Sequence, residues 1–268
     1  MGGILAVANQ KGGVGKTTTA VSLAAAMAMA GRKVLLVDMD PQGNASSGLG
    51  IDRATLTRHV YQVLIDGLDI HEVLQPTSIK SLSLAPAARD LTGAEVELGE
   101  RPEWEYALAD RLRPISKEFD VVLIDCPPSL GRLTVNSMVA SDGVLVPLQS
   151  EYYAMEGLSE LVATIESIRA GLNPNLVLAG IILTMYDGRT NLAKQIEQEI
   201  RSHFGELVFQ TVIPRSVRLA EAPSHGMPIM LYDIRSAGAG AYLDLSRELL
   251  RRYRFSAPAH NQEATTTT

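Results

Sequence analysis

The sequence predicts an α/β fold: a doubly wound, mostly parallel sheet with helices on both faces. Three observations carry this expectation. Apolar runs alternate with helical patterns along the chain, the order expected of successive strand–helix–strand units. Most of the runs are continuous rather than alternating, as strands covered on both faces should be. The first run passes directly into a glycine-rich loop and then a helix, an arrangement that builds an anion site.

In chain order, residues 4–8 read as the first strand and the alanine-rich stretch 17–30 as the helix behind the glycine loop. Residues 34–37 form a second apolar run, followed by Asp38, Asp40 and Pro41. A helical pattern over about 56–65 precedes a strand at 82–85, and a helix at 107–115 leads into the strand 121–124, which stops at Asp125. Helix 133–139, strand 144–148, helix 155–170 and strand 177–183 continue the alternation. Helix 191–204, a weaker strand at 208–213 and helix 238–253 complete it. No stretch is rich enough in Gly, Ser or Pro to divide the chain, so residues 1–255 read as a single unit. Residues 256–268 end in four threonines and read as a disordered tail.

At 268 residues and 46% apolar, the chain can bury a sizeable core. No apolar run approaches the roughly 18 residues of a membrane span. The apolar N-terminus lacks a basic flank and does not read as a signal peptide. Cys126 is the single cysteine, which excludes an intramolecular disulfide and fits a reducing, cytoplasmic setting. It also excludes an iron–sulfur cluster shared across a dimer, because each chain would have to supply two thiolates. The net charge of −6 by itself argues against a nucleic-acid partner. Its distribution is more informative. Residues 1–188 carry 14 Lys/Arg and 22 Asp/Glu, whereas 189–254 carry 10 and 7, with nine of the ten being arginine. The last quarter is locally positive on an acidic protein.

The loop reads Asn9-Gln10-Lys11-Gly12-Gly13-Val14-Gly15-Lys16-Thr17-Thr18. Between a strand and a helix it directs backbone N–H groups and a helix N-terminus at one point, with glycines letting the backbone close on phosphates. In this P-loop reading Lys16 reaches the β- and γ-phosphates, Thr17 ligates Mg²⁺ and Thr18 hydrogen-bonds the α-phosphate. The usual G-x-x-x-x-G-K-[ST] spacing is not met: its first glycine falls on Gln10, and an extra lysine, Lys11, opens the loop.

The run Lys11 to Thr18 resembles the deviant Walker A motif of the ParA/MinD family. Val34–Asp40 with Pro41-Gln42-Gly43-Asn44 is similar to that family's second acidic motif, and 121–125 with Pro127-Pro128 to its Walker B strand. Segments 184–191, 212–218 and 221–226 resemble the chromosome-partitioning branch, ParA/Soj. The resemblance spans about residues 2–253. It implies an ATPase with ATP and Mg²⁺ as cofactors, slow alone and stimulated by a partner. It implies that Asp40 orients the attacking water, Asp125 holds Mg²⁺ through water and Asp38 supports the metal region. Lys11, with Lys16 and Asp40 in the catalytic set, would reach across a homodimer to the partner's phosphates, Gly12 and Gly13 allowing the two loops to approach. Gly12, Gly13, Val14, Gly15, Thr17 and Thr18 would cradle the phosphates, and Met185, Pro214 and Arg215 would contact the base.

Two further outputs are then in play. In the ParA branch, Arg189 and Arg218 match DNA-contacting positions, with Arg215, Arg247, Arg251 and Arg252 as additions from the same basic quarter. The partners implied are non-specific DNA and a ParB-type centromere-binding protein, in a cytoplasmic protein associated with the nucleoid and not with membrane. With the first strand beginning at Ile4, an N-terminal operator-binding extension and sequence-specific DNA binding are not expected. The alternative is a MinD-like, membrane-associated regulator of division-site placement, whose amphipathic candidate is the segment 249–255; the Ser256-Ala257-Pro258 break after it and the dipole of the preceding helix weigh against this. A kinase or synthetase would need an acceptor site, for which no motif is present.

Overall fold

The computed structural model describes residues 3–151 and 154–253; the proposed tail at 256–268 lies outside them, as do Arg254 and Phe255. Among the described residues seven strands form one sheet: β1 (Gly3–Val7), β2 (Val34–Asp38), β3 (Gln75–Pro76), β4 (Leu82–Ala85), β5 (Val121–Asp125), β6 (Gly143–Gln149) and β7 (Val177–Thr184). Their spatial order is β3-β4-β2-β5-β1-β6-β7. Neighbours are parallel except the two-residue β3, which runs antiparallel to β4.

The continuous apolar runs have a direct explanation. Ile4 and Ala6 of β1 enter one core with Leu35, Val37, Val122 and Ile124. Leu5 and Val7 enter a second with Val34, Leu36, Val121 and Leu123. Successive side chains point to opposite faces, so a strand between two cores must be apolar at every position.

The helices are α1 (Lys16–Met29), α2 (Asn44–Gly48), α3 (Val60–Leu64), α4 (Leu91–Glu97), α5 (Ala109–Ser116), α6 (Arg132–Ala140), α7 (Ala154–Gly171), α8 (Asn191–Phe204), α9 (Val217–Glu221), α10 (Ile229–Tyr232) and α11 (Ala237–Arg252). Helices α3 to α8 close the first core; α1 and α11 dominate the second, joined by α2, α9 and α10. The alanines of α1 let α11 approach closely, and Thr19 and Tyr242 hydrogen-bond between the two helices at 3.0 Å. Ser236 caps α11, its Oγ accepting the Ala239 N–H at 3.2 Å, and Thr190 caps α8 through Ala193 at 3.3 Å.

Two expectations need correction. The helix at 56–65 is only Val60–Leu64, because His59 takes an extended conformation there and its N–H donates to Gln62 Oε1 at 2.9 Å. Segment 208–213 is not a strand. It lies along the outer edge of β7, with Phe209 N–H to Ile181 O at 2.9 Å and Ile213 N–H to Leu183 O at 2.8 Å. Between these anchors the N–H groups of Gln210 and Thr211 turn away to the Glu248 carboxylate, at 2.8 and 3.0 Å. A side chain of α11 thus takes the donors that a ladder would use.

The chain steps from β1 to β2 on one side, returns through β5, and continues through β6 and β7 on the other, so β1 lies where the strand order reverses. Open α/β sheets bind ligands outside the carboxyl ends of their strands at such a point. Register brings the ends together: Val7 and Asp38 both pair with Asp125.

Glu248 supplies a prediction. Burial pushes its carboxyl up, but hydrogen bonds from Gln210, Thr211 and Arg252 outweigh that and hold it below the ordinary glutamate value. A depressed folded-state pKa gives stability that is present above the unfolded pKa and lost as pH falls through the folded one. Glu248→Ala should therefore lower unfolding free energy by about 1–3 kcal/mol at pH 7. Urea denaturation should show that deficit shrinking in acid.

Candidate nucleotide site

The loop after β1 is shaped by its backbone. Asn9 Nδ2 donates to Pro147 O at 2.8 Å, and Asn9 Oδ1 accepts the Lys11 N–H at 3.0 Å. Gly13 and Gly15 take φ of 76° and 86°, left-handed values that cost a side-chain-bearing residue about 1–2 kcal/mol. A Cβ built on Gly12, Gly13 or Gly15 would meet nothing within 4 Å: the glycines line an open cradle. From the far side, Thr184 Oγ1 donates to Val14 O at 2.8 Å and ties the loop to β7. Helix α1 begins at Lys16, with Gly15 as its N-cap.

Lys16 is buried and curls over the loop, its Nζ donating to Lys11 O at 2.9 Å. Burial holds its amine below the ordinary lysine value, while Asp125 and Asp40 pull it back. Asp125 is fully buried, and both carboxylate oxygens lack a hydrogen-bond partner of good geometry. Burial and then the Asp38 charge push its carboxyl well up; the Thr17 hydroxyl and Lys16 act the other way. Orphaned buried carboxylate oxygens are costly, and here they face Thr17 and Lys16. The oxygen donors among them, the Asp125 carboxylate and the Thr17 hydroxyl, suit a hard cation.

Asp38 differs. Its Oδ2 accepts Ser46 N–H and Oγ–H at 2.8 and 2.7 Å, and its Oδ1 accepts Asp40 N–H at 3.2 Å. Burial outweighs these bonds and pushes its carboxyl up to about 6. Its oxygens are already engaged, so as a candidate metal residue it supports the turn rather than presenting free lone pairs. Asp40 lies just past β2, is buried, and accepts Gln42 N–H at 2.9 Å through Oδ1. Burial pushes the neighbouring Cys126 thiol up to about 12, leaving it a protonated core group.

Thr18, Met185, Pro214 and Arg215 share a cavity of about 370 Å³ with Gly15, Thr184 and Tyr242. The cavity is built by the edge segment: Tyr186 N–H donates to Ile213 O at 3.0 Å, and Arg215 N–H to Tyr186 O at 3.2 Å. Met185 pays for its place there with φ of 50°, a strained value of the sort that collects at ligand sites. Thr184 and Tyr242 were missed by sequence reading; no local signal carries them, since only the fold brings them to the loop.

Lys11 stands at the rim, its side chain 51% exposed, with Nζ on the Glu151 carboxylate. Arg189 is 90% exposed and forks onto Asp187 at 2.8 and 2.7 Å. Arg218 lies between Glu221 and Asp233 at 3.1 and 3.5 Å, near the Tyr232 ring. Both are on the surface, away from the loop's own contacts. Arg247 pairs with Asp244 at 2.7 Å, and Arg251 is exposed. Arg252 must be removed from the DNA candidates: it binds Glu248, Glu206 O and Val208 O at 2.6, 2.7 and 3.0 Å and stacks 4.1 Å from the Phe209 ring. It is a structural arginine.

A profile of the family described as "AAA domain" matches residues 2–178. The chain is 54% identical to the chromosome partitioning protein ParA of Myxococcus xanthus, over 94% of this chain and 89% of that protein. It is 51% identical to the sporulation initiation inhibitor protein Soj of Bacillus subtilis, over 93% of this chain and 98% of that one. The chain belongs to the ParA/Soj family. Among solved structures, the cobyrinic acid a,c-diamide synthase of Mycobacterium smegmatis with bound ATP analog and magnesium superposes with a TM-score of 0.83 at 40% identity, over 95% of this chain and 96% of that one. The ParA/Soj sheet and its loop are therefore those of a P-loop ATPase family.

The orphaned carboxylate carries a test. Asp125→Asn keeps the shape and replaces a carboxyl buried beside Asp38 and Asp40 with a neutral amide. It should raise the thermal midpoint of the protein measured without nucleotide or divalent ion, by about 1–2 kcal/mol of stability at pH 7. A lower midpoint would mean that the carboxylate is satisfied in the native state.

Proposed function

We propose that this ParA/Soj chain is an ATP-hydrolysing switch: a homodimer made with ATP, bound non-specifically to nucleoid DNA, and released when a ParB-type partner stimulates hydrolysis. The observation that carries the reading is the pairing of a buried, glycine-cradled Lys16 and an unpaired Asp125 carboxylate with an exposed second lysine, Lys11, at the rim.

Each residue then has work matched to its placement. Gly12 to Gly15 and the start of α1 offer N–H groups to the phosphates; Lys16 neutralises them, and Thr18 reaches the α-phosphate. Met185, Pro214 and Arg215 hold the base. Thr17 and Asp125, the latter through water, would hold magnesium, which when bound spreads and neutralises phosphate charge. Asp40 orients the attacking water. Lys11 is restrained by one exposed ion pair, a contact worth about 0–1 kcal/mol, and can exchange Glu151 for the phosphates of a second copy. It then acts as an arginine finger does, adding a cation when two loaded subunits meet.

Arg189 and Arg218 are the DNA contacts in this reading, since their exposed ion pairs are cheap to exchange for phosphates. Two phosphate contacts give a salt slope of about −1.8, and a dimer with four gives about −3.6. Pairing therefore raises DNA affinity without a nucleotide touching DNA. The described part of α11 argues against a membrane role: Leu249 is buried and Arg252 is engaged within the fold. No helix among the described residues is long and apolar enough to cross a membrane.

Asp40→Ala should reduce phosphate release at saturating ATP by at least about tenfold, while light scattering still detects an ATP-dependent dimer that DNA retains. Normal turnover would remove Asp40 from catalysis, and a single mass in all nucleotide states would remove the dimer. Reversing Arg189 and Arg218 to Glu should abolish DNA retention in a filter-binding assay and leave basal turnover within about twofold. A synthase, by contrast, would need an acceptor for turnover and would ignore both DNA and a ParB peptide.

A further inference from the structure

The turn after Asp40 is held from two sides. Inside, Asp38 accepts Ser46 and Asp40 N–H groups, while Asp40 accepts Gln42 N–H through its carboxylate and Gly43 N–H through its carbonyl at 2.8 Å. Outside, one residue reaches back over the turn from the loop beyond α2. Arg53 Nη2 donates to Pro41 O at 2.9 Å, and Nη1 donates to Gln42 O. Both acceptors are backbone carbonyls of the two residues that immediately follow Asp40.

Two details set this contact apart from an ordinary surface arginine. Arg53 Nε is buried without an acceptor, a loss that an arginine placed for stability alone would avoid and that calls for an explanation. The guanidinium also lies directly against Gly43. A Cβ there would overlap Arg53 Nε, and Gly43 takes φ of 60°. The glycine that makes the turn is also the one that admits the arginine. Arg53 otherwise lines an open cavity of about 440 Å³ with His59, Arg89 and Asp90, so its head group is not core packing.

We propose that Arg53 is a positioning residue for ATP hydrolysis: by clamping the carbonyls of Pro41 and Gln42 it fixes the turn that sets the Asp40 carboxylate. The inference rests on the reading of Asp40 as the water-orienting group. Nucleotide binding is carried by the loop after β1, on a different strand, so loss of the clamp acts on the chemical step. Misplacement of a reacting group by about 1 Å can cost a hundredfold in rate, whereas the Pro41 and Gln42 carbonyls lie outside the glycine loop that holds the phosphates, so their release costs little binding.

The test is a kinetic split with a double-mutant cycle. Arg53→Ala should lower turnover at saturating ATP about 10- to 100-fold, with KM for ATP within about twofold and an unchanged thermal midpoint. Arg53→Lys, which can reach one carbonyl, should recover part of the loss. Gly43→Ala should reproduce the Arg53→Ala loss and serves as the reading should that variant fail to fold. In an Asp40→Ala background, Arg53→Ala should add no further loss. Turnover within twofold of wild type for Arg53→Ala, or an additive loss on Asp40→Ala, overturns the inference while leaving Asp40 in place. Normal turnover by Asp40→Ala alone overturns the reading beneath it.

Discussion

Asp38, Asp40 and Asp125 close or follow adjacent strands, and together they crowd three buried carboxyl groups around one buried ammonium, that of Lys16. Repulsion among buried carboxylates is the constraint on which the rest of the site depends. The protein relieves it unevenly. Asp38 is saturated with donors from Ser46 and Asp40, and Asp40 takes Gln42 N–H. Asp125 is left with none. The remaining imbalance is a standing demand for a cation beside the glycine cradle, and the cradle is a standing demand for an anion. Each makes the other easier to bind, because opposite charges brought together in a low-dielectric setting interact strongly.

Charge at the rim follows a different rule. Lys11, Arg189 and Arg218 sit in exposed ion pairs that cost little to break, and this makes them available to a partner. Arg252, at the end of α11, shows the contrast. Partly buried, stacked on Phe209 and tied to Glu248 and to the Glu206 and Val208 carbonyls, it braces the segment 208–213. Residue type is the same for Arg189, Arg218 and Arg252. Depth decides what each can do.

Much of the fold was legible because β1, and β2 and β5 up to their terminal aspartates, are continuous apolar runs, the pattern of a sheet covered on both faces. The loop was legible from Gly13, Gly15 and Lys16, whose spacing between strand and helix has a direct physical meaning. The short helices α2, α4, α9 and α10 were not legible, since four to seven residues carry no helical period. Segment 208–213 read as a strand because its composition is that of one, and the competitor for its N–H groups, Glu248, lies 37 residues or more away in the chain.

By itself, then, the sequence determined the strand–loop–helix unit, the acidic strand ends and the extra lysine, because each is a local pattern of residue types. Only the tertiary structure decided which carboxylate lacks a close hydrogen-bond partner, which arginines sit in exposed ion pairs and which residue reaches the turn after Asp40. Those outcomes depend on burial and on partners outside the local pattern: Asp38 with Ser46 from α2, Val14 with Thr184 from β7, Pro41 and Gln42 with Arg53. A side chain's charge is written in the sequence, but its solvation and its partners arise when the strands are brought side by side.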